Sequence, residues 1–444
     1  MIDRRNFAVR TAGVLSALAL APANALTRQL DAMWSVRAWA DRELDARAAN
    51  TTAHALAEDE TFWAEVRKGY ALHDSVLNLD NGWTNPTPRA AVDALIRGAQ
   101  QLEALPAEEL PRMWDQISTT TVRAALAQAM GVPSAEIAMV RNATEALDTV
   151  LLGIPLKAGD EIVCSAHDYY AMLDALEQRR ARDGVVLRMI RPPIPLPSLA
   201  AVAELYKAAI GPRTRLVLLT HPSNLTGQLL PVARIAAAAH RAGAEVVVDG
   251  AQSMGVLEDP VKSLGCDYYG MSAHKWLGTP VGMGVLWMRP EHVSKVWPLV
   301  PPPPGITGMK RFEWIGTAPA YIEPASLPAI ALHHTLGAER KATRLRYLAS
   351  HLRARLGEAL PNARFYTTGE AGMSIGLTTI ELPGVDSDAL QRELRQRHSI
   401  LIQSMTGNQR APEIRGFRVS PNVYTTPAEL DRFVTALLAV VKAR

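Results

Sequence analysis

Between residues 136 and 249 the chain alternates short apolar runs with helical stretches, and this rhythm narrows its fold more than any other feature. Residues 136–140, 161–164, 185–190, 215–220 and 245–249 read as strands. Residues 143–152, 170–183, 199–210 and 232–242 read as the helices between them. Strands joined through helices at this spacing predict parallel crossover units in one sheet covered on both faces. Leu216-Val217-Leu218-Leu219 and Val246-Val247-Val248 are apolar without interruption, which suits strands buried on both sides. Ligands of such sheets bind beyond the carboxyl ends of the strands. His167, His221 and Asp249 fall at those ends.

The stretch from Val246 to Arg289 carries the chemistry: VVVDGAQSMGVLEDPVKSLGCDYYGMSAHKWLGTPVGMGVLWMR. Lys275 sits among Ser272, Ala273, His274, Trp276, Leu277 and Gly278, with no amphipathic pattern to mark a solvated face. Most lysines lie at the surface. One held in such a block is set for desolvation, which lowers its pKa and leaves part of it neutral. A neutral amine attacks an aldehyde, and a buried acid such as Asp249 keeps a pyridine nitrogen protonated. The pair predicts pyridoxal 5′-phosphate as cofactor, joined to Lys275 as a Schiff base. Read alone, Asp249 before Gly250 would serve equally well as a turn acid. The phosphate needs donors. Asn142, Ala143 and Thr144 lie between a strand and a helix, where free N–H groups and a positive dipole end favour anions. An ordinary Asn or Thr cap has the same pattern. Ser272 and His274 are further candidates from the lysine side. No metal is expected.

A chain of 444 residues exceeds one compact core and fits a large domain plus a smaller one. The net charge of +3 is concentrated in the first 25 residues, so no nucleic-acid partner is expected. Cys164 and Cys266 are too few for a disulfide framework and read as packed free thiols. The N-terminus, MIDRRNFAVRTAGVLSALALAPANA, places Arg4-Arg5 before a modest apolar stretch and a small-x-small site at Ala23-Asn24-Ala25. This pattern predicts a twin-arginine export signal, the twin-arginine translocation machinery as a transient partner, and a periplasmic location. The apolar stretch falls short of the ~20 residues a membrane span needs, so no stable anchor is expected.

Residues 26–75 read as helical. A short strand, a turn and a helix starting at Pro88 follow, and residues 119–130 form another helix. Beyond the stiff Pro301–Pro304 run, the pattern predicts a long helix over 327–356, strands at 365–367, 373–382 and 400–402, and helices over 386–396 and 427–442. The expected division is a signal peptide at 1–25, an N-terminal helical segment at 26–85, a large cofactor-binding domain at 86–325 and a small C-terminal domain at 326–444.

Together these residues resemble the class V aminotransferase family of fold-type I pyridoxal phosphate enzymes, and are most similar to its isopenicillin N epimerase-like branch. The matching stretches are LDNGWTNPTPRAAVDAL, RNATEAL, SAHDYYAMLDAL, the block around Lys275, FEWIGT and RVSPNVYTTPAEL. The resemblance implies an α/β fold with a mostly parallel seven-stranded sheet between helices and a smaller α+β C-terminal domain. It implies that Tyr169 stacks on the cofactor ring and that Gln252 contacts its phenolic oxygen. Gly316 and Thr317 are implied to reach the phosphate of the neighbouring subunit in a homodimer. Arg418 is implied to grip the substrate carboxylate with its planar fork, and Asn81 to contact the substrate. Without the resemblance, Arg418 would read as an exposed strand arginine. After FEWIGT the chain reads Ala318-Pro319-Ala320, where the epimerase-like branch usually carries an Arg-Asp pair. The nucleophilic cysteine of the family's desulfurases has no counterpart, since no cysteine follows Cys266.

The expected function is chemistry at the α-carbon of an amino acid or small amine, with Lys275 as general base. An aminotransferase-like outcome leads; epimerisation and carbon–sulfur β-elimination share the same carbanion. Gly282-Met283-Gly284 raises the alternative of a nicotinamide-dependent oxidoreductase, but it lies inside a strand-like run and not at a first strand-to-helix turn. A non-catalytic protein that keeps the fold is a third class, against which Asp249 and Lys275 speak.

Overall fold

This computed structural model describes residues 42–104, 114–258, 261–370 and 372–442. The export-signal reading and the expected helical residues 26–41 lie outside that range. Seven strands form the principal sheet: β1 (Ile137–Val140), β2 (Glu161–Ser165), β3 (Val186–Ile190), β4 (Thr214–Thr220), β5 (Glu245–Asp249), β6 (Tyr268–Ser272) and β7 (Gly284–Met288). Their order is β1-β7-β6-β5-β4-β2-β3. The five strands from β6 to β3 run parallel, whereas β7 is antiparallel to both β6 and β1. From β2 the chain steps outward to β3, then returns on the other side of β2 as β4. Strand order reverses there, and sheets of this kind open a crevice at that point.

Alternation along the strands feeds two cores. Val246 and Val248 of β5 join the cluster on one face, which includes Val232, Ile235 and Ala239 of helix Val232–Arg241. Val247 joins the other, with Leu147 and Val150 of helix Ala143–Gly153 and Leu173 and Leu176 of helix Tyr170–Asp183. The edge strand β3 departs from this rule: Val186 and Met189 are exposed at the rim of the sheet.

The C-terminal domain holds a four-stranded antiparallel sheet of β8 (Arg364–Phe365), β9 (Thr378–Glu381), β10 (Gln403–Ser404) and β11 (Phe417–Val419), ordered β10-β11-β9-β8. Three expectations are corrected here. The single helix over 327–356 is two, Leu327–Leu336 and Ala338–Ala359, divided at Gly337 with φ 77°. The strand over 373–382 forms only in its second half. Gly376 has φ 131° and packs so near helix Ala338–Ala359 that a Cβ would lie 2.6 Å from Leu345. Ile400–Leu401 does not join the small sheet but pairs in parallel with Leu77–Asn78. In the large domain, the helix expected over 119–130 is α-helical only from Arg123, and Trp114–Val122 is wound as a π-helix.

The N-terminal helices Ala53–Glu58 and Glu60–Lys68 lean on helix Ala338–Ala359, and Phe62, Trp63 and Val66 share an apolar cluster with Leu345, Ile375 and Tyr424. At its centre is Arg344, which is fully buried. Its guanidinium donates to the carbonyls of Ala57 (2.8 Å), Val423 (3.2 Å) and Thr425 (2.9 Å) and to both carboxylate oxygens of Glu60. Trp63 and Tyr347 offer it their rings at 5.5 Å. Removing this cation strands three buried carbonyls. Arg344→Ala is expected to cost roughly 3–5 kcal/mol, the usual penalty for breaking a buried charged network. Urea unfolding measures it, and a loss below about 1 kcal/mol would contradict this account.

Candidate active site

Most candidate residues gather at the carboxyl ends of β1, β2, β4, β5 and β6 and just after them, and Arg418 comes from β11. Asp249 is the last residue of β5 and is buried. Its Oδ1 accepts from Ala251 N at 3.0 Å. Burial pushes its pKa up, opposed by that hydrogen bond and by the charge of Lys275. Lys275 follows β6 in a tight turn, where desolvation brings its amine down to about 8, with Asp249 opposing and Arg418 assisting. The two groups therefore sense each other across neighbouring strand ends.

The turn is held from outside. Asn85 N donates to His274 O at 3.3 Å, and the Asn85 side-chain amide donates to Lys275 O. Asn422 Nδ2 in turn donates to Asn85 Oδ1 at 3.0 Å. Gln252 donates to Gly82 O (2.8 Å) and accepts from the Trp276 indole (2.7 Å). The Gln252 carbonyl oxygen thus ties the Asp249 loop to the lysine turn, and one amide hydrogen ties it to the loop at Gly82. His274 has a buried Nδ1 without a hydrogen-bond partner, and burial followed by the Lys275 charge lowers its pKa.

Helix Ala143–Gly153 starts beside this turn. Asn142 caps it, its Oδ1 accepting from Glu145 N at 2.9 Å. Ala143 N donates to Ser272 Oγ at 2.9 Å, and Ala146 N donates to Asn142 O at 3.2 Å. Of the first-turn donors this leaves the Thr144 N–H, together with its hydroxyl. The approach of β7 sets this position, because a Cβ on Gly284 would lie 2.6 Å from Asn142 Cα. Tyr169 stands at the start of helix Tyr170–Asp183, half-buried, its ring 4.5 Å from that of Tyr170. Burial raises its phenol pKa, with smaller contributions from Tyr170 and Asp249.

On the C-terminal side, Arg418 of β11 is buried, not exposed. One amine of its fork donates to Asp80 Oδ1 (2.7 Å), the other to Asn224 O (2.8 Å), and its Nε has no partner. Gly82 packs directly beside the guanidinium, since a Cβ there would come within 3.3 Å of Arg418 Cζ. Asn81 is placed otherwise than expected. Its amide donates to Asn78 O and Ser420 O and accepts from Asn78 Nδ2 and Tyr424 Oη, so no polar atom is left over for a substrate. Gly316 and Thr317 lie on an exposed loop, where a Cβ on Gly316 would meet nothing within 4 Å.

Sequence reasoning missed Asn224, whose buried Oδ1 has no hydrogen-bond partner. It lies in the HPSNLTG turn after β4, so the strand-end rule that selected Asp249 reaches it too. Asp168 was also missed. It is buried after β2, accepts from Ser165 N, Thr220 N and Thr220 Oγ1, and burial raises it to about 7.

These residues fit pyridoxal 5′-phosphate. The buried carboxylate suits a cationic ring nitrogen, the Thr144 donors suit a phosphate, and the unpartnered atoms of His274, Asn224 and Arg418 suit polar ligand groups. Two measurements follow. Gly284→Ala should push Asn142 outward and weaken cofactor retention by about 1–3 kcal/mol, read by equilibrium dialysis. In the cofactor-free protein, Lys275 should be protonated below about pH 8 and neutral above it, so its labelling by a small aldehyde with reductant rises through that pH. A flat profile up to pH 10 would contradict the lowered amine.

The profile of the Aminotransferase class-V family matches residues 77–433, and the chain belongs to that family. It is 32% identical over 402 residues to an isopenicillin N epimerase of Streptomyces clavuligerus, covering 85% of this chain and 98% of that one. The fold superposes on the apo structure of a cysteine desulfurase from Thermococcus onnurineus NA1 with TM-score 0.76, at 25% identity, over 86% of this chain and 98% of that one. A cystine C–S lyase in complex with its product, cysteine persulfide, gives TM-score 0.73 at 25% identity, over 82% and 98%. The chain is accordingly a pyridoxal phosphate-dependent enzyme of fold-type I.

Proposed function

We propose that this class V enzyme attaches its cofactor through Lys275 and acts on the α-carbon of an amino acid, with an aminotransferase-like outcome. The carrying observation is the lowered Lys275 amine facing the buried Asp249 carboxylate from adjoining strand ends. When bound, pyridoxal 5′-phosphate supplies an electron-accepting ring conjugated to the substrate α-carbon. The protein's own groups do the rest. Asp249 holds the proton on the ring nitrogen, and the Thr144 N–H and hydroxyl hold the phosphate. Ser272 fixes Ala143 at the same helix start. Tyr169 covers the ring. Arg418 and Asn224 orient the substrate carboxylate, and Lys275 takes and returns the proton at the α-carbon. Gly316 and Thr317 complete the phosphate site of a second copy in a homodimer. The twin-arginine pattern adds export to the periplasm as a folded, loaded enzyme.

Inversion at the α-carbon is a second reading, favoured by the near full-length similarity to an isopenicillin N epimerase. Desulfuration has less support. Cys164 and Cys266 are both buried, and burial raises the Cys266 thiol to about 12.

Borohydride reduction of the loaded protein followed by peptide mapping tests the attachment. The label is expected on Lys275 alone, and its appearance on another lysine would overturn the proposal. Lys275→Ala should lower turnover by at least about 10²–10⁴-fold. An amino-acid panel scored in parallel for keto acid, inverted isomer and released thiol separates the outcomes. Inverted isomer without keto acid would replace transamination by epimerisation.

A further inference from the structure

Helix Ala338–Ala359 carries a second buried lysine, Lys341, that the chemistry above does not use. Lysines are almost never fully buried unless paired with an acid. Among the described residues no carboxylate pairs with Lys341. Its amine donates to the Trp276 carbonyl at 2.5 Å, one peptide beyond Lys275. The surroundings are apolar or basic. Leu336 and Leu345, on the flanking turns, belong to the same cluster as Val256 and Trp276. His333 is buried nearby with Nδ1 unpartnered, and burial together with Lys341 keeps it neutral.

The carbonyl it holds is closely packed. Gly255 lies so near that a Cβ would fall 2.8 Å from the Trp276 oxygen. The two preceding carbonyls, of His274 and Lys275, are both held by Asn85. Three successive carbonyls of the lysine turn are therefore fixed by donors from outside it, two from the N-terminal loop and one from the C-terminal domain. Lys275 O also accepts from Gly278 N, which closes the turn on itself. A turn tethered in this way holds the Lys275 backbone, and with it the direction of its Cα–Cβ bond, against the sheet.

We propose that Lys341 is a positioning residue for Lys275: its buried amine anchors the Trp276 carbonyl to the C-terminal domain and so fixes the angle at which the Lys275 amine enters the cleft. An apolar side chain of the same length would fill the space as well but would leave a buried carbonyl without its donor. Desolvation brings the Lys341 amine down to about 7. It donates in either protonation state, so the tether persists across the neutral range.

The proposal rests on Lys275 as the attachment lysine, and the test keeps the two apart. Lys341→Met and Lys341→Gln are prepared as cofactor-loaded proteins, and the Lys275-linked peptide is mapped in each. Three readouts are compared per mole of bound cofactor: kcat and KM, the pH midpoint of the absorbance of the bound cofactor, and the rate at which added cofactor reattaches to the stripped protein. Lys341→Met is expected to lower kcat by about 10- to 100-fold, as misplacement near a reacting centre does. KM should stay within about twofold, the absorbance midpoint should move, and reattachment should slow. Lys341→Gln keeps a donor and should recover part of each loss. If Lys341→Met keeps the wild-type midpoint and turnover per bound cofactor, the proposal is overturned, even where the melting temperature falls. A label mapped to a lysine other than Lys275 overturns the functional reading instead. Should Lys341→Met fail to fold, Lys341→Gln decides: a lowered kcat per bound cofactor with a moved absorbance midpoint and KM within about twofold supports the tether, and wild-type values in all three readouts overturn it.

Discussion

Two opposite charges drawn out of water at the ends of adjacent strands organise this molecule. Neither Asp249 nor Lys275 is comfortable there: burial pushes the acid up and the amine down, and each partly relieves the other. The five parallel strands deliver them to one rim, as parallel strands bring all their carboxyl ends together. The antiparallel β7 then presses Gly284 against Asn142 and places a helix start beside the lysine turn. Acid, amine and anion-binding donors are thus fixed by backbone packing, with little left to side-chain rotamers.

The C-terminal domain supplies the other half of the cleft, and its contribution is also electrostatic. Arg418 is buried with two of its three nitrogens already engaged by Asp80 and Asn224. Its remaining Nε has no partner, and Gly82 packs close beside the guanidinium, where a Cβ would come within 3.3 Å of Cζ. Asp80 thus balances part of the Arg418 charge within the protein itself, which eases the burial of both groups.

The sheet was legible because its strands are short, apolar and bounded by glycine or polar turns, so the bounds of helix Tyr170–Asp183 and of β5 read directly from pattern. The lysine turn was legible because its neighbours lack any amphipathic order. Breaks set by tertiary packing were not. Nothing local announces that Gly376 packs against Leu345, or that Ile400–Leu401 pairs with Leu77–Asn78 across most of the chain. Asn81 entered as a substrate contact through the resemblance alone; its four hydrogen bonds to Asn78, Ser420 and Tyr424, two of these residues far along the chain, had no local signal. Lys341 was invisible for the same reason, since a lysine within a charged helical stretch normally faces solvent.

The pairing of Leu77–Asn78 with Ile400–Leu401 also bears on how such a chain is made. The strands that deliver Asp249 and Lys275 are complete once synthesis has passed β7, and domains generally fold as units in order of emergence from the ribosome. The first strand among the described residues must wait for a partner more than three hundred residues downstream, a closure whose entropy cost falls on the last stage. Arg418 lies later still in the chain, on β11, whose partners are β9 and β10. A nascent chain therefore completes the strands that deliver Asp249 and Lys275 before it makes the donor, Lys341, that holds the lysine turn from the C-terminal side.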